Sequence, residues 1–239
     1  MSIEIICDDS LHWLKLQKNE SIGNFVTGIC DMDEINMSMP NYLKFIDKIV
    51  RLIFDKLAPD GYAIFIQTDR KYNRSWVDKS HIISKIADEY NLKMIWHKIV
   101  LHRSVDSTDT YRPTYAHMLC YSKNGTTGSA TPDVLPISKK LYKNGTPLLA
   151  GLRAIEFISL YSKHNLIVDP FVGRGVITAI SNLLKIPSIG IDIDKDQCKI
   201  AEKFEFDKDD LKFLKSHMKG TSVSKRRNSL SPKRSNRRS

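Results

Sequence analysis

Short apolar runs alternate along the chain with segments whose apolar residues recur every three or four positions. The runs at 3–7 and 62–66 are typical of buried strands. Phe45, Ile49 and Ile53 recur at four-residue spacing, which predicts a helix over about 41–57. Such alternation of strands and helices predicts an α/β fold with a doubly wound, Rossmann-like sheet of seven mostly parallel strands.

The remaining elements follow from the same patterns. The predicted strands are 3–7, 24–30, 62–66, 94–103, 115–122, 166–169 and 188–191. The predicted helices are one capped by Asp9-Ser10, followed by 41–57, 77–90, 148–161, 176–184 and 195–215. We expect a turn at 59–61, a loop at 104–113 and, because it lacks periodicity, a linker at 123–145. One domain over 1–215 accounts for this order better than two.

Composition narrows the class of protein. The 239 residues are 41% hydrophobic and 27% charged, which excludes a wholly disordered or fibrous chain. No apolar run approaches the roughly 18 residues of a membrane span, and the N-terminus lacks a secretory pattern. The four cysteines show no CxxC spacing, so we expect reduced thiols, no metal site and an intracellular protein.

The positive charge is concentrated at the end of the sequence. The net charge is +10, but eight lysines and arginines and no acid lie in 219–239, so the preceding residues carry only about +2. We expect 216–239 to be a disordered basic tail. Its two basic clusters, 225–227 and 233–234, are typical of a polyanion-binding arm or a nuclear import signal, and also of a solvated terminus without a partner. The location would be nuclear in a eukaryote and otherwise cytoplasmic.

A glycine loop between two acids is the most specific feature of the sequence. The predicted strand before Asp169 leads into a loop with Gly173 and Gly175, and a second strand ends at Asp192. Glycines let a ligand approach the backbone, and a carboxylate after the second strand can accept hydrogen bonds from ribose hydroxyls. Asp169 would repel a pyrophosphate, so the ligand should combine an ammonium group with a ribose.

These segments resemble the motifs of one enzyme family. DPFVGRG at 169–175 and GIDID at 190–194 resemble the cofactor motifs of S-adenosylmethionine-dependent methyltransferases, closest to the nucleic-acid amino-methyltransferases whose cofactor motif lies late in the chain. CDDSLHWL at 7–14 looks like the opening of that circularly permuted order, and the helix from 146 looks like the segment before the cofactor loop. The resemblance implies a class I methyltransferase fold.

The resemblance also implies roles for single residues. The methionine side of S-adenosylmethionine would be lined by Asp169, Phe171, Gly173 and Gly175. Asp192 would hold the ribose, Asp9 would face the adenine amino group, and Thr146 would lie near the carboxylate. The alternative is a Rossmann-like sheet without a nucleotide, in which the glycine loop only turns the chain.

The sequence departs from the family where the catalytic motif is expected. Amino-methyltransferases place (D/N/S)PP(Y/F/W) after the catalytic strand, and this chain has Gly28-Ile29-Cys30-Asp31 there. Asp31 could act as a general base or accept the hydrogens of an amine. Cys30 could attack a pyrimidine ring, as in carbon-5 methyltransferases. Otherwise the segment is structural, and catalysis lies elsewhere or is absent.

Polar and aromatic residues suited to a nucleic acid follow the third predicted strand. The candidate substrate-binding residues are Asp69, Arg70, Trp76, Lys79, His97 and Arg112. Interleaved cations and rings suit phosphate contact and base stacking. The alternative is a solvated loop in which Trp76 packs onto the next helix, with His97 and His117 as ordinary strand residues.

The function predicted is S-adenosylmethionine-dependent methylation of a nucleic acid. RNA is favoured over DNA, because the linker is too short for a sequence-reading domain and a basic arm binds without reading bases. A catalytically inactive nucleic-acid-binding or scaffold protein, and methylation of a protein or small metabolite, are the alternatives. The sequence leaves open a protein partner or a homo-oligomer.

Overall fold

A computed structural model describes residues 2–127 and 131–218. The described residues form the strands β1 (Ile3–Cys7), β2 (Ile22–Thr27), β3 (Leu57–Gln67), β4 (Arg70–Tyr72), β5 (Ser75–Val77), β6 (Lys93–Leu101), β7 (Tyr115–Ser122), β8 (Val134–Leu135), β9 (Ile167–Asp169) and β10 (Ser188–Asp192). They also form the helices α1 (Ser10–Leu16), α2 (Met39–Lys56), α3 (Lys79–Glu89), α4 (Leu148–Tyr161), α5 (Val176–Leu183), α6 (Lys195–Glu202) and α7 (Lys208–His217). None of these helices is both long and apolar enough to cross a membrane.

Eight strands form one mixed sheet in the order β1-β10-β9-β2-β3-β7-β6-β8. The five strands from β1 to β3 are parallel, and β7 lies antiparallel to both of its neighbours. This confirms the predicted doubly wound α/β class, although the sheet has eight strands instead of seven. The carboxyl ends of β10, β9, β2 and β3 meet at one edge, which is where open α/β sheets bind ligands.

Helices cover both faces of the sheet because the central strands are apolar on both sides. Along β3, Phe65 belongs to the core under α2 and α3, whereas Ile64 belongs to the core under α4 and α5. Both side chains are fully buried. A strand that is buried on two faces reads as a continuous apolar run, which explains the unbroken pattern of 62–66.

Several predicted boundaries shift by a few residues, and one predicted helix and one predicted turn take a different form in the structure. The single helix expected over 195–215 is two helices, because Asp207 ends the connection and caps α7 by accepting a hydrogen bond from the Asp210 amide (2.7 Å). The turn expected at 59–61 lies inside β3 as an irregularity of the ladder. There Gly61 passes so close to Gly23 that a Cβ would lie 2.0 Å from the carbonyl oxygen of Gly23.

The segment predicted as a linker, 123–145, has structure of its own. It contributes β8, which pairs in parallel with Ile99 and Val100 of β6. A two-residue strand is too short to give a periodic pattern, so the sequence did not reveal it. The predicted tail begins within α7, whose last residue is His217, and its remainder, 219–239, lies outside the described residues.

We predict that Phe65→Ala lowers the free energy of unfolding by about 3–5 kcal/mol, because a buried aromatic ring is replaced by a cavity. The ring packs edge-on against Phe54 and Tyr121, with centroid distances of 5.8 and 6.4 Å. Urea unfolding measures the change. Leu16→Ala, on a side chain that is 70% exposed, is the control and should change stability by less than about 0.5 kcal/mol. Equal losses in the two variants would contradict this assignment of the core.

Candidate functional site

A cleft of about 820 Å³ opens at the carboxyl edge of the sheet. One wall is the glycine loop between β9 and α5, and a second is the segment that follows β2. The third wall is residues 139–147, which we call the strap. The cleft therefore brings together three segments that are far apart in the sequence.

The glycine loop needs glycine at two positions. Gly173 and Gly175 have φ angles of +51° and +89°, in the left-handed region that other residues rarely adopt. A Cβ on Gly175 would also lie 3.0 Å from the Cα of Ala201 in α6. The loop thereby exposes its backbone to the cleft while α6 packs closely behind it.

Asp169 ends β9 and is a carboxyl group buried without a counter-ion. Its Oδ1 accepts hydrogen bonds from the Thr27 hydroxyl (2.7 Å) and the Phe171 amide (3.1 Å). Burial raises the pKa of Asp169 to about 7. Among the described residues no cationic side chain forms an ion pair with it, so a ligand with a positive charge would find an unmatched carboxyl group here.

Asp192 ends the neighbouring strand β10 and holds the glycine loop in place. Its two carboxylate oxygens accept hydrogen bonds from the amides of Gly173 and Asp194, each 2.9 Å. Burial raises the pKa of this carboxyl group. Each oxygen keeps a lone pair for a further donor such as a hydroxyl group. Asp9 lines the same end of the cleft and caps α1 by accepting from the Leu11 amide (2.8 Å).

The strap crosses the cleft and is anchored on both sides. Lys139 forms an ion pair with Asp210 of α7 (2.6 Å), and the Asn144 amide donates to Glu34 (2.8 Å) on the opposite side. Between these anchors the Tyr142 hydroxyl accepts a hydrogen bond from the Arg174 amide in the glycine loop (3.3 Å). The strap ends at Thr146 and Pro147, which also line the cleft.

Several solved structures resemble this chain along most of its length. The putative DNA modification methylase TTHA0409 from Thermus thermophilus is 14% identical, with a TM-score of 0.65 over 84% of this chain and 93% of that chain. It is also known in complex with S-adenosyl-L-methionine. The cytosine-N4-specific PvuII DNA methyltransferase is 14% identical, with a TM-score of 0.67 over 90% and 91% of the two chains. M1.HpyAVI in complex with SAM is 17% identical, with a TM-score of 0.54 over 84% and 99%. No protein-family model and no curated protein matches the chain.

The chain therefore has a methyltransferase fold. Its cleft also fits S-adenosylmethionine on the grounds of its own residues, because an unmatched carboxyl group suits the ammonium and a second one suits the ribose. All seven residues predicted for the cofactor are gathered in or beside the cleft: Asp9, Thr146, Asp169, Phe171, Gly173 and Asp192 line it, and Gly175 is the N-cap of α5 next to them.

Within this methyltransferase fold, the segment Gly28–Asp31 replaces the catalytic motif, and backbone groups of this segment are hydrogen-bonded to side chains of the protein. The Gln67 side chain accepts from the Ile29 amide (2.9 Å) and donates to the Ile29 carbonyl (3.3 Å). The Cys30 carbonyl accepts from the Tyr42 hydroxyl (2.8 Å). Gly28 has no side chain to add. The segment therefore offers no polar side chain at position 28, and its carbonyls at Ile29 and Cys30 each already accept one hydrogen bond.

Asp31 faces the cleft but is surrounded by cations. Arg112 and Arg70 approach its Oδ2 at 2.8 and 3.1 Å, and the buried Lys79 ammonium lies 3.8 Å from Oδ1. Burial alone would raise the pKa of Asp31, but these cations outweigh it and hold the pKa below its usual value. A carboxylate with a lowered pKa is a weak proton acceptor, so the geometry favours a structural or positioning role over a general base.

Cys30 also lines the cleft, as a neutral thiol. Burial, with smaller contributions from Glu34 and Asp192, raises its pKa to about 12. Covalent attack on a pyrimidine requires a thiolate, so this environment does not support the predicted nucleophile. Both catalytic roles remain predictions from the sequence.

Of the six predicted substrate residues, some lie in or beside the cleft and the others lie outside it. Lys79 and Arg112 line the cleft, and Arg70 lies beside them through its ion pairs with Asp31 and Asp33. Trp76 lies outside the cleft on the β4–β5 hairpin and is 47% exposed.

Asp69 and His97 do not reach the cleft. Asp69 is buried, and its carboxylate accepts from the Trp76 indole (3.0 Å), the Lys79 amide (2.9 Å) and the ring of His117 (3.2 Å). His117 in turn bonds His97 (2.8 Å). These contacts anchor the hairpin and α3 to the sheet, so the substrate roles expected for Asp69 and His97 are not supported by this placement.

The sequence did not point to His102, Lys140 and Tyr142, which also line the cleft. His102 follows β6, and the other two belong to the strap. No motif marks them, because their contribution depends on the path of a segment without periodicity. The run KKLYKNG at 139–145, which mixes cations with an aromatic ring, was the available signal.

We predict a pH-dependent effect of Asp169→Asn on stability. The pKa of about 7 in the folded chain lies above the usual value of about 3.9 in an unfolded chain. The folded state therefore holds an extra proton between these values, and this stabilisation is lost as the pH rises from about 4 to about 7. Asparagine keeps both hydrogen bonds at Oδ1 and does not titrate. The stability of the variant relative to wild type should rise across this range, by up to about 4 kcal/mol.

Chemical denaturation at pH 4.5 and pH 8 measures this difference. Asp196→Asn, at an exposed side chain of α6, is the matched control and should follow wild type at both values. If the free energy of unfolding of Asp169→Asn differs from that of wild type by the same amount at pH 4.5 and pH 8, the burial assigned to Asp169 is wrong.

Proposed function

We propose that this chain is an S-adenosylmethionine-dependent methyltransferase that acts on nucleic acid. The observation that carries the proposal is the glycine loop, which opens into a cleft between the carboxyl groups of Asp169 and Asp192 in a methyltransferase fold.

The residues of one end of the cleft would hold the cofactor. Asp192 would bind the ribose, Asp169 the ammonium group, and Asp9 the adenine amino group. Phe171 would pack against the ligand from the loop, held from behind by Phe45 (6.0 Å between ring centroids). When bound, S-adenosylmethionine supplies a methyl group that is already activated by a sulfonium.

The chain's own contribution is alignment and exclusion of water. The strap covers the cleft, with Tyr142 against the glycine loop. The cations around Asp31 fix the segment after β2 next to the cofactor end. Because the methyl group is already activated, the main task of such an enzyme is to hold the methyl donor and the substrate in the correct relative orientation.

A nucleic acid is the substrate class that suits the rim of the cleft. The β4–β5 hairpin contacts the loop before β7 through the Lys71 amide and the Tyr111 carbonyl (2.9 Å). Together they present Trp76 and Tyr111, which are 47% and 72% exposed. The Lys71 ammonium lies 5.5 Å from the indole centroid of Trp76. Exposed rings beside cations suit stacked bases and phosphates.

Among nucleic acids we infer DNA, because the similar structures are named as DNA methylases or methyltransferases. The preference for RNA that the short linker suggested has no support in these comparisons. The polyanion-binding role and the nuclear address predicted for the tail concern residues outside the described part of the chain.

We predict that S-adenosylmethionine binds saturably and that Asp192→Asn weakens binding at least about ten-fold, because a hydrogen bond to a charged acceptor is lost. Isothermal titration calorimetry measures both affinities. Asp196→Asn, which lies on α6 outside the cleft, should bind as wild type does. No saturable heat with wild type, or unchanged affinity in Asp192→Asn, would reject the cofactor assignment.

We predict transfer of tritiated methyl from S-adenosylmethionine to DNA rather than to RNA of the same sequence. The measurement is acid-precipitable label on matched single-stranded oligonucleotides. Label on RNA alone would reverse the choice of substrate. The segment at Gly28–Asp31, which has no polar side chain at its first position, also favours a non-catalytic nucleic-acid-binding protein. That alternative predicts cofactor and DNA binding without any transfer of label.

A further inference from the structure

The end of the cleft opposite Asp192 is lined by hydrogen-bond donors. Arg112, Lys140 and His102 line it, and we call these three residues the donor pocket. The His102 amide donates to the Thr114 carbonyl (2.8 Å), so His102 lies beside the segment that carries Arg112, and Lys140 lines the same cleft. A substrate group that enters here meets positive charge and N–H groups.

Two members of the donor pocket have unused donors or unpaired charge. Lys140 forms no ion pair with any described residue, although it is only partly exposed. The Nδ1 atom of His102 is buried and has no hydrogen-bond partner, while Nε2 lies 3.1 Å from the Thr68 hydroxyl. A buried ring nitrogen without a partner is costly, so a hydrogen bond gained by His102 on ligand binding would be stabilising.

Arg112 is oriented by Asp31. Its Nη2 lies 2.8 Å from the Asp31 carboxylate, which is also bound by Arg70. The remaining N–H groups of the guanidinium are available to the cleft, because an arginine carries five donors. The Asp31 carboxylate thus holds Arg112 in position, and the carboxylate oxygens of Asp31 contact cations rather than the substrate.

These observations decide which bases fit. Adenine and cytosine carry an amino group where guanine carries O6 and thymine or uracil carries O4. An amino group needs acceptors. In this segment the Ile29 and Cys30 carbonyls each already accept one hydrogen bond, and the Asp31 carboxylate is held in ion pairs. A carbonyl oxygen needs donors, which the donor pocket supplies.

We propose that the donor pocket binds a keto base, guanine, thymine or uracil, through its carbonyl oxygen, and rejects the amino bases adenine and cytosine. The inference rests on the proposed function, since it names the base class for the substrate end of the same cleft. Arg112 and Lys140 provide the discrimination, and His102 adds one hydrogen bond.

The charge state of the donor pocket is consistent with this role. Burial, and then Arg112, lowers the pKa of Lys140 to about 8, so the ammonium form still predominates at pH 7. Burial, and then the neighbouring cations, lowers the pKa of His102 to about 4, so its ring is neutral. In the tautomer in which Nε2 accepts from the Thr68 hydroxyl, the neutral ring carries its proton on Nδ1, the atom without a partner.

The test is binding of fluorescein-labelled single-stranded 12-mers by the full chain at pH 7, measured by anisotropy. Oligo-dT, oligo-dC and a 12-mer of abasic sites carry equal phosphate charge and differ only in the base. Wild type should bind oligo-dT at least about five-fold more tightly than oligo-dC, as expected for one or two hydrogen bonds.

Lys140→Met should bring the affinity for oligo-dT to within about two-fold of that for oligo-dC and leave the abasic 12-mer unchanged. His102→Leu should reduce the same ratio and serves as a second variant if Lys140→Met does not fold. Lys85→Met, which removes an exposed lysine of α3 away from the cleft, is the charge-matched control and should keep the wild-type ratio.

Equal affinity of wild type for oligo-dT and oligo-dC would overturn the proposal. So would a Lys140→Met variant that loses affinity equally for all three 12-mers, because the lysine would then contact phosphate. Calorimetry with S-adenosylmethionine distinguishes failure of the donor-pocket proposal from failure of the proposed methyltransferase function. Intact cofactor binding without a base preference overturns the donor pocket alone, whereas absent cofactor binding overturns the proposed function and this proposal together.

Discussion

The cleft depends on the burial of one carboxyl group at the end of a central strand. Asp169 lies between β2 and β10 and is hydrogen-bonded to Thr27 on one side and to the start of the glycine loop on the other. The loop then returns to Asp192 through the Gly173 amide. Because these contacts join adjacent parallel strands at the same edge, the loop has little freedom. Its shape is a consequence of the strand order.

The part of the cleft next to the segment after β2 is organised by a different interaction, the cluster of cations around Asp31. Asp31 is mostly buried and is satisfied by Arg70, Arg112 and Lys79. Removing a partner from such a cluster would leave a buried charge unpaired, which costs more than the cluster contributes. The carboxylate that the sequence suggests as a catalytic base therefore fixes the positions of its cationic neighbours, including Arg112, which lines the cleft.

The strap links the two ends of the cleft. Its residues reach α7 through Lys139, the glycine loop through Tyr142 and the segment after β2 through Asn144. A ligand in the cleft would be enclosed by a segment that belongs to none of the large helices or strands. The strap and the end of β6 contribute Lys140, Tyr142 and His102 to the cleft.

Local patterns by themselves determined the fold class and the cofactor end of the cleft. Apolar runs and four-residue spacing located β1, β7 and α4 with their observed boundaries, and the glycines with their flanking acids marked the loop. These features could be predicted because each depends on residues close in sequence. The extra strand β8, the break between α6 and α7, the bonded acceptors at Ile29 and Cys30, and the meeting of His102 with Lys140 could not. They are set by which distant segments pack side by side, and only the tertiary structure decides that, since a short or irregular segment gains its conformation from its neighbours rather than from its own pattern.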